Sequence, residues 1–213
     1  KQTLGAILAG NIILGVFTGA LGYIAAKTGL STHLLAQYSF GVKGAYISSF
    51  MLSATQIGWF GVGLGMFAYP VHKLTGLPLV GIVIVTGILM TATAYFGMKA
   101  LTILSFIAVP AIAILGSFSA TKAIGDMGGL NELFAYTPDS SLSLAAALTI
   151  TIGSFISAGT LTPDFARYAK SGKHAVSTTV IAFFLGNSLM FLFGVIGVIA
   201  TGHNDISDVM LSQ

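Results

Sequence analysis

Long apolar runs separated by short polar connections set the pattern of this chain, and they fall at 4–26, 45–71, 77–97, 100–121, 142–170 and 175–201. Each is close to or above the roughly 20 residues that a helix needs to cross about 30 Å of hydrocarbon. The runs are continuous rather than alternating with period two, so the backbone must satisfy its hydrogen bonds inside helices and not in strands. The pattern predicts an all-α polytopic membrane protein, a single transmembrane domain over residues 1–213 with six transmembrane helices in this chain. Only Gly97, Met98 and Lys99 separate the third and fourth runs, which predicts a tight helical hairpin. Pro110 sits among apolar neighbours in IAVPAIAIL and predicts a kink rather than a loop. The fifth run differs from the others, because ITIGSFISAGTLTPDF brings Gly, Ser and Thr into it before Pro163 and Asp164. About eleven apolar residues precede Gly153, too few to cross as one helix, so a helix break is expected near 153–159.

Composition agrees with a bilayer as the solvent: 55% of residues are hydrophobic, 7% are charged and the mean hydropathy is +0.93, whereas soluble domains carry about 25% charged residues. A net charge of +3 in such a chain reports on loop orientation and implies no nucleic-acid partner. If the runs are membrane crossings, the connections sort by charge. One side collects Lys27, Lys43, Lys99, Arg167, Lys170 and Lys173 with Asp164 as its single acid, and this side is expected to face the cytoplasm. The other carries Lys1, Lys73 and Lys122 against Asp126, Glu132, Asp139, Asp205 and Asp208. The first run is too long for a signal-peptide core and lacks a cleavage site, and no initiator Met precedes it, so the chain is expected to begin and end inside a larger protein.

The absence of Cys removes thiolate nucleophiles and Cys-based metal sites. His33, His72, His174 and His203 lie near run ends or in connections without ligand spacing, so no metal site is expected in this chain. No Ser, His and Asp set, phosphate loop or pair of intramembrane carboxylates appears, which argues against an enzyme. Gly15 with Gly19, and Gly61 with Gly65, have the four-residue spacing of close helix contacts. Asn11 and Asn187 read as interhelical hydrogen-bonding struts.

Two constellations point to a ligand. Gln56 and Trp59 in TQIGWF are three residues apart on one helical face. Trp59 lies near the middle of its run instead of in a headgroup belt, where structural Trp is commonest. A flat aromatic surface beside an amide that both donates and accepts suits a planar polar heterocycle; a buried aromatic knob beside a packing amide is the plainer alternative. In the fifth run, Ser154, Ser157 and Thr160 offer hydroxyls, Phe155 a second aromatic face, and a broken helix would offer backbone groups, as in many secondary transporters. A Gly-kinked helix whose hydroxyls bond their own carbonyls is the alternative there.

The strings GYIAAKTGLSTHLLAQYSFGVKG, TQIGWFGVG, SFIAVPAIA, MGGL, GSFISAGTLTPDFARY, FFLGNSLMF and DISDVM together resemble the bacterial cytosine permeases of the nucleobase-cation-symport-1 family over essentially the whole chain. The resemblance implies part of a five-plus-five inverted-repeat, leucine-transporter-like bundle, with these residues corresponding to the family's second to seventh helices. It implies a bacterial inner-membrane symporter that imports cytosine with sodium by alternating access, with no cofactor. The base would lie between Trp59 and Phe155, Gln56 would hydrogen-bond it, and Ser154 and Ser157, with their exposed backbone, would read its edge. The sodium ligands are expected outside this chain. Another nucleobase or a hydantoin-like ring is the alternative cargo, since stacking tolerates any flat ring; a channel or a purely structural bundle are the rival classes.

Overall fold

A computed structural model describes residues 2–137 and 142–202. Lys1, Asp139, His203, Asp205, Asp208 and the stretch DISDVM lie outside the described residues. In chain order the described helices are α1 (Gln2–Thr28), α2 (Thr32–Thr75), α3 (Leu79–Tyr95), α4 (Gly97–Asp126), α5 (Leu130–Ala135), α6 (Leu144–Thr160), α7 (Thr162–Ala166), α8 (Gly172–Ile181) and α9 (Asn187–Thr201), with a π-helical turn at Ala182–Gly186 joining α8 to α9. By length and composition, four stretches can cross a membrane: Leu4–Thr28, Thr32–Thr75, Gly97–Asp126 and Gly172–Thr201. The helices Leu79–Tyr95 and Leu144–Thr160 are apolar but shorter, 17 residues each, or about 25 Å at 1.5 Å per residue.

Local sequence accounts for where these helices start and bend. Ser143 caps α6 by accepting from the Ala146 N–H, and Ser171 caps α8 by accepting from the His174 N–H. Pro110 lies inside an α4 that continues on both sides of it, since neighbouring groups can absorb the lost bond. The turn between α3 and α4 closes at Phe96 and Gly97, where Gly97 has φ +70, a conformation open to glycine at little cost.

α2 is longer than the run 45–71 predicts because it includes a bent beginning. Gly41 has φ 68 and ψ 174 within it. His33 and Ser49 would be about 24 Å apart along a straight helix, yet His33 Nδ1 lies 2.6 Å from Ser49 Oγ. The His33 and Tyr46 rings are also in contact, with centroids 5.4 Å apart. The segment 32–40 therefore folds back on the helix that begins after Gly41, and that second helix is the one the hydrophobic run predicts.

The break expected near 153–159 is not there. α6 continues through Gly153 to Thr160, and the interruption falls at Leu161, followed by Pro163 in the first turn of α7. The hydroxyls bond within the helix: Thr151 Oγ1 donates to the Ala147 carbonyl at 2.9 Å, Ser154 Oγ to Thr151 at 2.8 Å and Thr160 Oγ1 to Ile156 at 2.8 Å. Polar side chains that bond their own helix lower the penalty of being in lipid without opening the backbone.

Contacts divide the chain into two units, Lys1–Gly58 with Asp139–Phe191, and Trp59–Pro138 with Leu192–Gln213. In the first unit, α1 packs on α6, α7 and α8. The seam is made of small residues. A Cβ at Gly10 would meet Thr151 Cγ2 at 2.7 Å, one at Gly19 would meet Val180 at 3.1 Å, and one at Gly159 would meet Thr18 at 3.0 Å. Gly15 and Gly19 thus form the close contact their spacing predicts. Asn11 and Asn187 are buried and bonded to each other, Asn187 Nδ2 donating to Asn11 Oδ1 at 2.6 Å, and Asn11 Nδ2 donates to Ser188 Oγ at 2.8 Å. In the second unit, Ala120, Ala123 and Ile196 form a core with Leu133 and Phe193 against it. The Gly61 and Gly65 pair makes no such seam: a Cβ at Gly61 would meet nothing within 4 Å, and one at Gly65 would reach only Tyr69 of its own helix.

Candidate substrate site

Gln56 lies in the part of α2 that belongs to the first unit. Its side chain is half-buried, and its Nε2 is buried with no hydrogen-bond partner among the described residues. An amide nitrogen in that condition is costly, because it has left its water and found no acceptor, at about 1–3 kcal/mol. Buried polar groups are rarely left in this state unless a ligand, ion or water completes them. Neighbouring Thr55 behaves differently, its Oγ1 donating to the Met51 carbonyl at 2.9 Å.

Trp59 opens the second unit on the same helix. The backbone is helical at Trp59, as it is at Gln56. Trp59 is 46% exposed in this chain, which leaves its ring free to meet a ligand or another segment.

Ser154, Phe155 and Ser157 all lie on α6, each half-buried. Ser154 and Ser157 are three apart and share a face. Ser157 makes no hydrogen bond to another described residue, whereas Ser154 donates to the Thr151 carbonyl and keeps its acceptor lone pairs. Phe155 is two residues from Ser157, so its ring leaves the helix about 160° away from that hydroxyl. Because α6 is unbroken here, the N–H groups of these three residues and the carbonyls of Ser154 and Phe155 are engaged in the helix, so the exposed backbone expected at Ser154 is not observed. The Ser157 carbonyl is among the last four of α6, and the Leu161 N–H that would reach it donates to Ala158 at 3.0 Å instead.

Two apolar cavities occupy the first unit, and none of the five predicted residues lines them. One, of about 630 Å³, lies between Ala158, Thr162, Phe165, Lys170, His174 and Phe183. The other, of about 570 Å³, runs along α1 past Gly15 and Gly19 to Phe184. Among the described residues no group of three His, Asp or Glu is placed to hold a metal ion.

Asp164 and Arg167, three residues apart, each take a different partner. Asp164 Oδ1 accepts from the Thr32 backbone N–H at 3.3 Å, and Thr32 Oγ1 donates to the Thr160 carbonyl at 3.3 Å. Arg167 instead donates from Nη2 to the Tyr168 hydroxyl at 2.7 Å and stacks over that ring, 4.8 Å from its centroid. The sequence signal was present, since Asp164 is the single acid on the basic side. Its partner is 132 residues away along the chain and has no side-chain signature, because a backbone N–H does the donating.

Residues 1–213 match the family model described as permease for cytosine/purines, uracil, thiamine, allantoin. The chain is 57% identical over 208 residues to the cytosine permeases of Escherichia coli O157:H7 and Escherichia coli strain K12, covering 98% of this chain and 50% of each relative. It therefore spans about half the length of the curated relatives it matches. Its fold matches that of Mhp1, a nucleobase-cation-symport-1 family transporter solved in a closed conformation with bromovinylhydantoin bound, with a TM-score of 0.81 at 19% identity, over 98% of this chain and 51% of that one. On the strength of a family match that runs from its first residue to its last, the chain belongs to the permeases for cytosine and purines, uracil, thiamine and allantoin.

Proposed function

We propose that the protein to which this chain belongs imports a nucleobase, cytosine first among them, across the bacterial inner membrane by alternating access, coupled to sodium. The observation that carries the reading is Gln56, whose buried Nε2 lacks an acceptor among the described residues; a base with ring nitrogens and a carbonyl supplies one. Trp59 gives the ring a stacking surface, and α6 presents either the hydroxyls of Ser154 and Ser157 to read the polar edge or, on its other side, Phe155 as a second aromatic face. The likeness to curated cytosine permeases supports cytosine as the cargo. In this reading the chain contributes six transmembrane helices to a five-plus-five inverted repeat, with α6, Leu161 and α7 together completing the fifth crossing. The sodium ligands lie outside this chain. Each sodium entering down a 100 mV potential contributes about 2.3 kcal/mol, enough to concentrate an uncharged base tens of fold. No chemistry is performed on the cargo, and no cofactor is needed.

A second cargo class is favoured by one observation: the solved transporter whose fold matches holds a hydantoin. Binding of radiolabelled cytosine to the intact protein, with and without sodium, for the native sequence and Trp59→Ala, tests the reading. Sodium should tighten binding and the substitution should abolish it in a folded protein. Cytosine binding indifferent to both would overturn it, and tight binding of a hydantoin in place of cytosine would select the second cargo.

A further inference from the structure

We infer that Asp164 is a positioning residue for the substrate site, acting through a clasp that ties α2 to the junction of α6 and α7. The inference rests on the transporter reading above and on three contacts inside the first unit. Asp164 Oδ1 accepts from the N–H of Thr32, the first residue of α2. Thr32 Oγ1 donates to the carbonyl of Thr160, the last residue of α6. His33, next in sequence, holds Ser49 across the bend at Gly41, with 2.6 Å between Nδ1 and Oγ.

The geometry passes from one ligand-bearing helix to the other. α6 carries Ser154, Phe155 and Ser157 and ends at the clasp. Thr32 and His33 start the folded-back segment of α2, and Ser49 lies beyond its bend. Ser49 and Gln56 are seven residues apart, two helical turns, and so share one face of the helix. The carboxylate also sits where a helix N-terminus presents unpaired N–H groups and partial positive charge, which favours an acid at that point. This gives the single acid of the basic side a task that an Asp164 to Arg167 pair would not have performed. Its carboxylate is bound to a backbone group, so a change in the tilt of α7 is transmitted to α2 without depending on a flexible side chain at the receiving end.

The prediction concerns affinity more than folding. In the intact protein, Asp164→Ala should raise the Kd for cytosine and the KM for uptake about tenfold, the worth of one hydrogen bond to a charged acceptor. The maximal uptake rate per molecule should change little; because the bond is already made without base, the melting temperature should fall in Asp164→Ala and recover in Asp164→Asn alongside the affinity. Asp164→Asn, which keeps an acceptor oxygen in place, should recover most of the affinity. Thr32→Ala and His33→Ala should each weaken binding severalfold, and they decide the matter if Asp164→Ala fails to fold. An Asp164→Ala protein that binds cytosine with native Kd overturns the inference, as does a loss confined to melting temperature and expression that Asp164→Asn does not repair. If the native protein binds no base at all, the transporter reading fails first and the positioning role falls with it; native binding with unaffected variants removes the clasp alone.

Discussion

Gln56→Leu should make the base-free protein no less stable and the base-bound protein much harder to form. The Gln56 Nε2 is buried without a partner among the described residues. Leaving a buried donor unsatisfied costs about 1–3 kcal/mol, and replacing it by an apolar group of similar size is close to neutral or stabilising. Leu fills most of the same volume and removes the orphan, so the change in stability without base should lie between zero and about 2 kcal/mol in favour of the variant. Binding moves the other way. The variant forfeits a hydrogen bond to the base and also strands the base's own acceptor in a water-poor site, together about 2–3 kcal/mol, or roughly 30-fold to 150-fold in Kd. Thermal unfolding of the intact, detergent-solubilised protein without base, paired with equilibrium binding of labelled cytosine, reads both quantities on one preparation. A variant that melts well below the native protein while binding cytosine normally would show that Gln56 is a packing strut, and the argument from its unpartnered nitrogen would be refuted.

Other consequences concern the helix seams and the orientation. Gly10→Val should destabilise by about 1–3 kcal/mol, because even a Cβ there would sit 2.7 Å from Thr151 Cγ2; chemical denaturation in mixed micelles measures it, and pairing the change with Thr151→Ser should return part of the loss. Asn187→Ala should cost about 0.6–1.7 kcal/mol by removing the 2.6 Å bond to Asn11, and an unchanged unfolding midpoint would show the amide pair to be energetically idle. Lys99 is exposed in the first turn of α4, and no native Cys competes for label in this chain. Lys99→Cys should therefore react with a membrane-impermeant maleimide only after cells are opened, and labelling of intact cells would invert the assigned orientation.

The relation between sequence and structure differs from one feature to the next. The membrane character and the helical class were legible in the amino acids, because the cost of an unpaired peptide group in hydrocarbon leaves few backbone solutions. Gly15 with Gly19 and Gly61 with Gly65 carry the same motif, yet only the first pair meets a facing helix; the motif records a permission to pack and contains no partner. The fifth run is interrupted at Leu161 and not at Gly153, because a Gly or Ser inside a helix breaks it only where surrounding groups can take over the freed hydrogen bonds. The fold-back at Gly41 and the union of Asp164 with Thr32 rest likewise on contacts between distant parts of the chain. What each segment tolerates in lipid is set locally, by the balance of apolar area and backbone hydrogen bonding. Tertiary structure alone decided which of the tolerated bends and polar pairings are used, since each is stabilised by a group many residues away.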